Sequence, residues 1–312
     1  MAYKVVDIDI YGSFNVLRET PAVDNACKLK TVMSVAGSDS SGGAGIEADL
    51  KTITAHGCYG LTAITCLTAQ NTIGVKNAIK TTPQLIEDIL DSNFTDIPIN
   101  AIKTGLLTEH AIPALRKSME KYSYKGHLVV DPVMVSTSGY DFIDNTVLKM
   151  IIDSLSPFIT IITPNMIEAK CLVNTLLQEQ KYDENSILDL DDVFGMCQLI
   201  HENTGISNIL IKGGHQQWGD SKLTDILFIS EEKTFYKFNS KMIDSRHTHG
   251  TGCTLSSAIA SNLAKDLTLV NAVGNGIVYV QNGIKCAPRL GNGNGPLNHI
   301  QTINYVDYVY NQ

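Results

Sequence analysis

TVMSVAGSDSSGGAGIEADLKT, residues 31–52, passes from a β-branched apolar run through a glycine-rich turn into a stretch of helical spacing. The same order repeats along the chain. Apolar runs at 31–36, 61–67, 100–103, 127–131, 159–163, 207–212, 224–229 and 234–238 read as strands. Helical periodicity lies between them at 44–56, 83–93, 109–121, 145–155, 167–178 and 190–202, with two further helices after Gly250. Such alternation predicts an α/β domain, a central mostly parallel sheet covered by helices on both faces. The last two strands, joined by residues 230–233, read as an antiparallel pair.

Polar or glycine-rich signals follow the strands: GSDSSGGAG after the first, AQNT after the second, DPVM after the fourth, TPNMIE after the fifth and KGGH after the sixth. Ligands of open parallel sheets bind outside those carboxyl ends. Without repeats, low-complexity tracts or a proline-rich linker, the chain reads as an N-terminal arm, residues 1–27, and a single domain, residues 28–312.

Composition narrows the partners. The 312 residues are 44% hydrophobic, enough for a sizeable core, and carry a net charge of −8 with no long run of one sign. That argues against a nucleic-acid or membrane-surface partner and for a small molecule. An anionic substrate of an acidic protein needs a local device such as the amides of a helix N-terminus. The seven cysteines form no CxxC pair, and Asp7, Asp9, Glu19 and Asp24 near the start disfavour a transit peptide. No apolar run reaches membrane-spanning length, so the expected location is the cytoplasm.

The segment HTHGTGCTLSSAIA, residues 247–260, supplies such a device. Gly250, Thr251, Gly252 and Cys253 fall at the opening turn of a helix, where free N–H groups and the helix dipole attract an anion. A thiol there can fall from ~8.5 to ~3.5–7.5, which makes Cys253 a candidate base; a tight turn around a buried small residue is the plainer alternative. The glycines at 37, 42, 43 and 45 spell neither GxGxxG nor a Walker sequence, which leaves a substrate-side loop with room for a flat ring, or a simple strand-to-helix connection. Asn165 and Glu168, three apart at a helix start, could hold water around Mg²⁺ on ATP, or could form a capping box. Asp131 before Pro132 is a further carboxylate or a turn former, and Lys212 at a strand end a phosphate-side cation or a snorkelling side chain. His215 and His249 stay outside the catalytic set.

In order, AGSDSSGGAGIEADLKT, AQNT, KTGLL, VVDPVM, TPNMIEA, IKGGH and HTHGTGCTLSSA resemble the hydroxymethylpyrimidine and hydroxymethylpyrimidine-phosphate kinases, fungal type, of the ribokinase-like superfamily. Cys253 stands where most ribokinase-like enzymes have an aspartate base. The resemblance implies phosphorylation of a hydroxymethylpyrimidine to its monophosphate and then its diphosphate, in thiamine biosynthesis, with ATP and Mg²⁺ and as a homodimer. It implies that Gln70 binds the aminopyrimidine edge and that Gly37, Ala44, Asp49, Leu106 and Val133 line the pocket. It places Asp131, Asn165 and Lys212 with the nucleotide, Asn165 and Glu168 with magnesium through water, and Gly250, Thr251, Gly252, Cys253 and Lys212 in the catalytic group. Glu47 stands where many bacterial relatives carry Gln, and Leu106 where they carry Met. Fungal relatives often continue into a thiaminase-like domain, which this chain either lacks or has lost by truncation. Pyridoxal kinase, and a non-catalytic homologue, are the competing readings.

Overall fold

The computed structural model describes residues 3–10, 16–17, 29–134, 145–183, 186, 189–214, 222–301 and 305–306. The strands are β1 (Lys4–Asp9), β2 (Val16–Leu17), β3 (Thr31–Ser38), β4 (Tyr59–Gln70), β5 (Val75–Lys80), β6 (Ala101–Thr104), β7 (His127–Val130), β8 (Ile161–Ile162), β9 (Asn208–Ile211), β10 (Lys222–Ile229), β11 (Thr234–Lys241) and β12 (Tyr305–Val306). The helices are α1 (Gly45–Ala55), α2 (Pro83–Asp96), α3 (Ala111–Lys121), α4 (Asn145–Leu155), α5 (Met166–Leu177), α6 (Leu190–Thr204), α7 (Thr251–Ala264) and α8 (Leu269–Lys285).

Among the described residues ten strands form one sheet in the order β1-β11-β10-β9-β8-β7-β6-β3-β4-β5. From β9 through β4 every pairing is parallel, while β10 runs antiparallel to both β9 and β11, and β5 antiparallel to β4. The expected mostly parallel sheet is therefore present. Every residue of β3 is buried, the pattern of a strand covered on both faces. One apolar cluster packs Ile86, Leu115, Ile151, Leu172 and Met196 of α2 to α6 on one face. Another packs Ile53, Ile259 and Val273 of α1, α7 and α8 on the other.

Two strands of this sheet escape the sequence reading, as do β2 and β12, which pair with each other apart from it. Lys4–Asp9, which falls in the N-terminal arm, pairs in parallel with β11 in the register Lys4↔Thr234 to Asp9↔Asn239. That partner lies far along the chain, so local pattern does not announce it. The sequence VKNAIK of β5 has only intermediate and exposed positions, because the strand forms a sheet edge. It lacks the apolar alternation by which strands are recognised. Cys27 and His215 lie outside the described residues.

Candidate active site

The expected residues gather at the carboxyl edge of the sheet, on both sides of the start of α7. Gly250 is the N-cap of that helix at φ 80°, and among the described residues no side chain caps it. A Cβ on Gly250 would lie 1.8 Å from the carbonyl oxygen of Gly43, so only glycine lets the two loops meet this closely. The Thr251 N–H turns back to Thr248 O at 3.3 Å. The rest of the first turn, Gly252 and Cys253, provides the anion-binding end of the dipole.

On one side of α7 is a charged cluster. Lys212, which follows β9, donates to Asp131 Oδ1 at 2.8 Å and lies 3.9 Å from Glu168 Oε2. A Cβ on Gly252 would sit 3.4 Å from Lys212 Nζ and 3.5 Å from Asp131 Oδ2, so the lysine and the helix start face the same space. Burial works against the charge on Lys212, and Asp131 and Glu168 outweigh it, holding the ammonium above its ordinary value. Burial pushes Glu168 up to about 7, against the pull of Lys212 and with the help of Asp131.

Two expectations change here. Asp131 is almost fully buried, with Lys212, Thr163 and Ser256 as its donors, so it holds the lysine and is not free to meet a nucleotide. Asn165 and Glu168 form the reciprocal capping box: Asn165 Oδ1 accepts from Glu168 N at 2.9 Å and Glu168 Oε2 accepts from Asn165 N at 2.7 Å. The Asn165 side chain is thereby committed to its helix, while Glu168 also faces Lys212.

Of the expected pocket residues, Gly37 and Gln70 lie at the ends of β3 and β4, Leu106 and Val133 follow β6 and β7, and Ala44 is the N-cap of α1. A Cβ on Gly37 would come within 2.8 Å of Cys66 Sγ and 3.2 Å of the Leu106 side chain, so a larger residue there would crowd both. Asp49 does not line this pocket. Its carboxylate is fully buried, bonded twice by Lys103 Nζ at 2.8 Å and once each by Ser34 and Ser257. Glu47 is also occupied, accepting from Ser38 Oγ and from Asp39 N at 2.7 Å, so its charge serves the loop and not a ligand.

Cys253 also departs from expectation. Burial pushes its thiol up to about 11; Lys103 pulls it down, Asp49 and Asp131 raise it, and the Gly45 N–H favours the thiolate. Burial and the two carboxylates together outweigh Lys103 and the Gly45 N–H. At neutral pH the group is a thiol.

Sequence reasoning missed Asp39 and His249, whose side chains meet at 2.7 Å, and Lys103 beneath the site. The signal for the first pair was present: GSDSSGGAG and HTHGTG each place a polar side chain beside glycines that allow close approach. Near the same edge, a cleft of about 350 Å³ is lined by Asp244, Arg246, His247, Lys285 and Arg289 among others. No group of three or more acidic, histidine or cysteine side chains among the described residues is arranged to hold a metal. No helix of the described residues is long and apolar enough to cross a membrane.

Known proteins resemble this chain in sequence and fold. The hydroxymethylpyrimidine/phosphomethylpyrimidine kinase of Saccharomyces cerevisiae is 41% identical over 303 residues, 94% of this chain and 54% of that protein. The chain thus spans about half the length of the first curated relatives it matches. The enzyme of the same name from Rhizobium meliloti is 36% identical over 86% of this chain and 96% of its own. Among solved structures, the Staphylococcus aureus pyridoxal kinase in complex with AMP-PCP and pyridoxal superposes with a TM-score of 0.77 at 28% identity, covering 90% of this chain and 98% of that one. The fold is ribokinase-like. With the phosphomethylpyrimidine kinase sequence model matching residues 39–298, and with the glycine-opened helix start and its lysine falling inside that span, the chain belongs to the phosphomethylpyrimidine kinase family.

Proposed function

We propose that the chain transfers the γ-phosphoryl group of ATP to the hydroxymethyl group of an aminopyrimidine, and then phosphorylates the resulting monophosphate. The observation that carries this reading is the placement of Lys212 against Gly252, where the α7 helix start and a cation share one space. Phosphoryl transfer asks mainly for positioning and charge stabilisation, and this corner supplies both. The reacting hydroxyl belongs between the pocket of Gly37, Ala44, Gln70, Leu106 and Val133 and the first turn of α7. The nucleotide phosphates belong on the Lys212 side of the first turn of α7, where that cation offsets the protein's negative charge. A neighbour that binds AMP-PCP supports ATP as donor.

Cys253 accepts the hydroxyl proton only as thiolate, a minor species at neutral pH given the raised thiol. Asp131 holds Lys212, and Lys212 neutralises charge that builds on the transferring group. Magnesium suits the site as a hydrated ion carried on the nucleotide phosphates: Glu168 offers one carboxylate, and Asn165 is already engaged. The ion would supply charge neutralisation beside Lys212. A cytosolic homodimer belongs to this reading through the family resemblance.

The second reading is a pyridoxal kinase, favoured by the close superposition on such enzymes. Purified protein supplied separately with hydroxymethylpyrimidine, its monophosphate and pyridoxal, with products resolved by chromatography, separates the two. Mono- and diphosphate from the pyrimidine are expected. Pyridoxal phosphate as sole product would move the chain to the second reading, and no product at all would remove the kinase proposal.

A further inference from the structure

Residues 291–299 form a strap that follows α8, begins with the run GNGNG and touches both halves of the site. Gly293 N donates to Thr72 Oγ1 at 3.2 Å, in the turn between β4 and β5. A Cβ on Gly293 would lie 2.0 Å from Thr72 O, so strap and turn meet backbone to backbone. Two residues on, Gly295 O accepts from His249 N at 3.2 Å, just ahead of α7. The buried Leu297 side chain and a bond from Asn298 N to Gly283 O at 2.9 Å anchor the strap on α8.

The strap ends on α7 itself. His299 is buried, its carbonyl accepts from Tyr279 OH at 2.8 Å, and its Nε2 lies 2.9 Å from Thr254 Oγ1. The same hydroxyl lies 2.8 Å from Gly250 O. A carbonyl can only accept, so the single hydroxyl hydrogen goes to Gly250, and the hydroxyl oxygen in turn accepts the hydrogen of His299 Nε2. Burial, with Lys51 nearby, lowers this imidazole to about 4, so at neutral pH it is uncharged and its one ring hydrogen sits on Nε2. Gly250 brings no side chain to cap α7, and its carbonyl is held instead by Thr254 N at 2.9 Å and Thr254 Oγ1. That carbonyl shares one rigid peptide plane with the N–H of Thr251, where the anion-binding turn begins.

We propose that His299 is a positioning residue for phosphoryl transfer: through the Thr254 hydroxyl it holds the Gly250–Thr251 peptide at the opening of α7, and the strap that carries it ties that opening to the β4–β5 turn. This rests on the reading of the α7 start as the end that receives the transferring phosphoryl group. A turn that is already set does not have to be ordered as charge develops there.

The test combines steady-state kinetics with a spectroscopic signature. With ATP and hydroxymethylpyrimidine, or pyridoxal should that be the acceptor, His299→Phe is expected to lower kcat per folded molecule about tenfold, the effect of roughly one hydrogen bond. KM for the acceptor should stay within about twofold. His299→Gln, whose amide nitrogen reaches as far as Nε2, should recover most of the loss, and the shorter His299→Asn should not. In a Thr254→Val background His299→Phe should add nothing, because the hydroxyl that relays its effect is gone. Equal losses in both backgrounds, or an active wild type whose kcat His299→Phe leaves unchanged, would overturn the positioning role alone. A wild type that phosphorylates neither acceptor would overturn the kinase reading and the proposal with it. Independently of any variant's folding, the ¹⁵N–¹H correlations of the wild-type imidazoles should show His299 hydrogenated at Nε2 at neutral pH; the Nδ1–H tautomer would sink the proposal.

Discussion

Two lysine–aspartate pairs flank α7, and they differ in everything but composition. Lys103 and Asp49 have no exposed side-chain surface, and both aspartate oxygens are filled by Lys103, Ser34 and Ser257. Burial works against the charge of Lys103, and Asp49 more than restores it. Lys212 keeps 14% of its side chain exposed and lies between Asp131 and a more distant Glu168. That exposure lets the Lys212 ammonium meet a ligand, whereas Lys103 and Asp49 are sealed from solvent against each other. A saturated pair fixes structure, and an unsaturated one beside a helix N-terminus is available for chemistry.

The largest expected effect breaks the saturated pair. Lys103→Met should destabilise the fold by ~3–5 kcal/mol, because it strands a buried carboxylate without its partner. Urea denaturation measures this, and a loss under about 1 kcal/mol would mean that Asp49 reaches solvent. Lys212→Met should act on turnover instead, lowering kcat by ~10²–10³, as loss of one charge-stabilising donor does. Because Lys212→Met also strands the buried Asp131, its stability should fall too, though less than that of Lys103→Met, since the Lys212 site keeps some exposure to water. The reverse ranking would dissolve the contrast between the pairs.

Cys253 lies within reach of the fields of both pairs, so its pH profile sharpens the comparison. With the thiol at about 11, the thiolate fraction rises tenfold per pH unit below that value, and kcat should climb through pH 7–9. Cys253→Asp installs a group ionised at neutral pH and should flatten that rise. A flat wild-type profile with chemistry limiting would remove the thiolate from the mechanism. The smallest effect belongs to Glu168. Its carboxyl titrates at about 7 in the fold, above its ordinary value of 4.5, so the fold holds more protons than the unfolded chain between those limits. The stability it confers when protonated is present at low pH and lost as pH rises from 4.5 to 7. Glu168→Gln keeps a cap acceptor and should raise the melting midpoint at pH 8 by ~2–4 °C, about 1 kcal/mol for a chain of this size. No gain is expected at pH 4. Equal shifts at both pH values would refute the linkage.

Much of this architecture is legible in the linear chain. The eight strands from β3 to β11 other than β5, and all eight helices, follow from local apolar spacing, because each buries a continuous face whose period is set by its own backbone. Asn165 and Glu168 were legible in both roles, and the structure selects the cap for Asn165, since N-cap geometry consumes its oxygen. Asp49 and Asp131 were readable only as carboxylates near an edge; their partners come from strands and helices distant in sequence.

The sequence alone determined the α/β class, the glycine-opened helix at Gly250 and the order of the polar loops, because turn chemistry and hydrophobic period are local properties of the chain. Tertiary structure decided which lysine is saturated, that Cys253 rests as a thiol, that Asp39 meets His249, and that Lys4–Asp9 joins the sheet. Each of these depends on the field and hydrogen-bond partners brought by remote segments, and burial strengthens both in a way that no local pattern encodes.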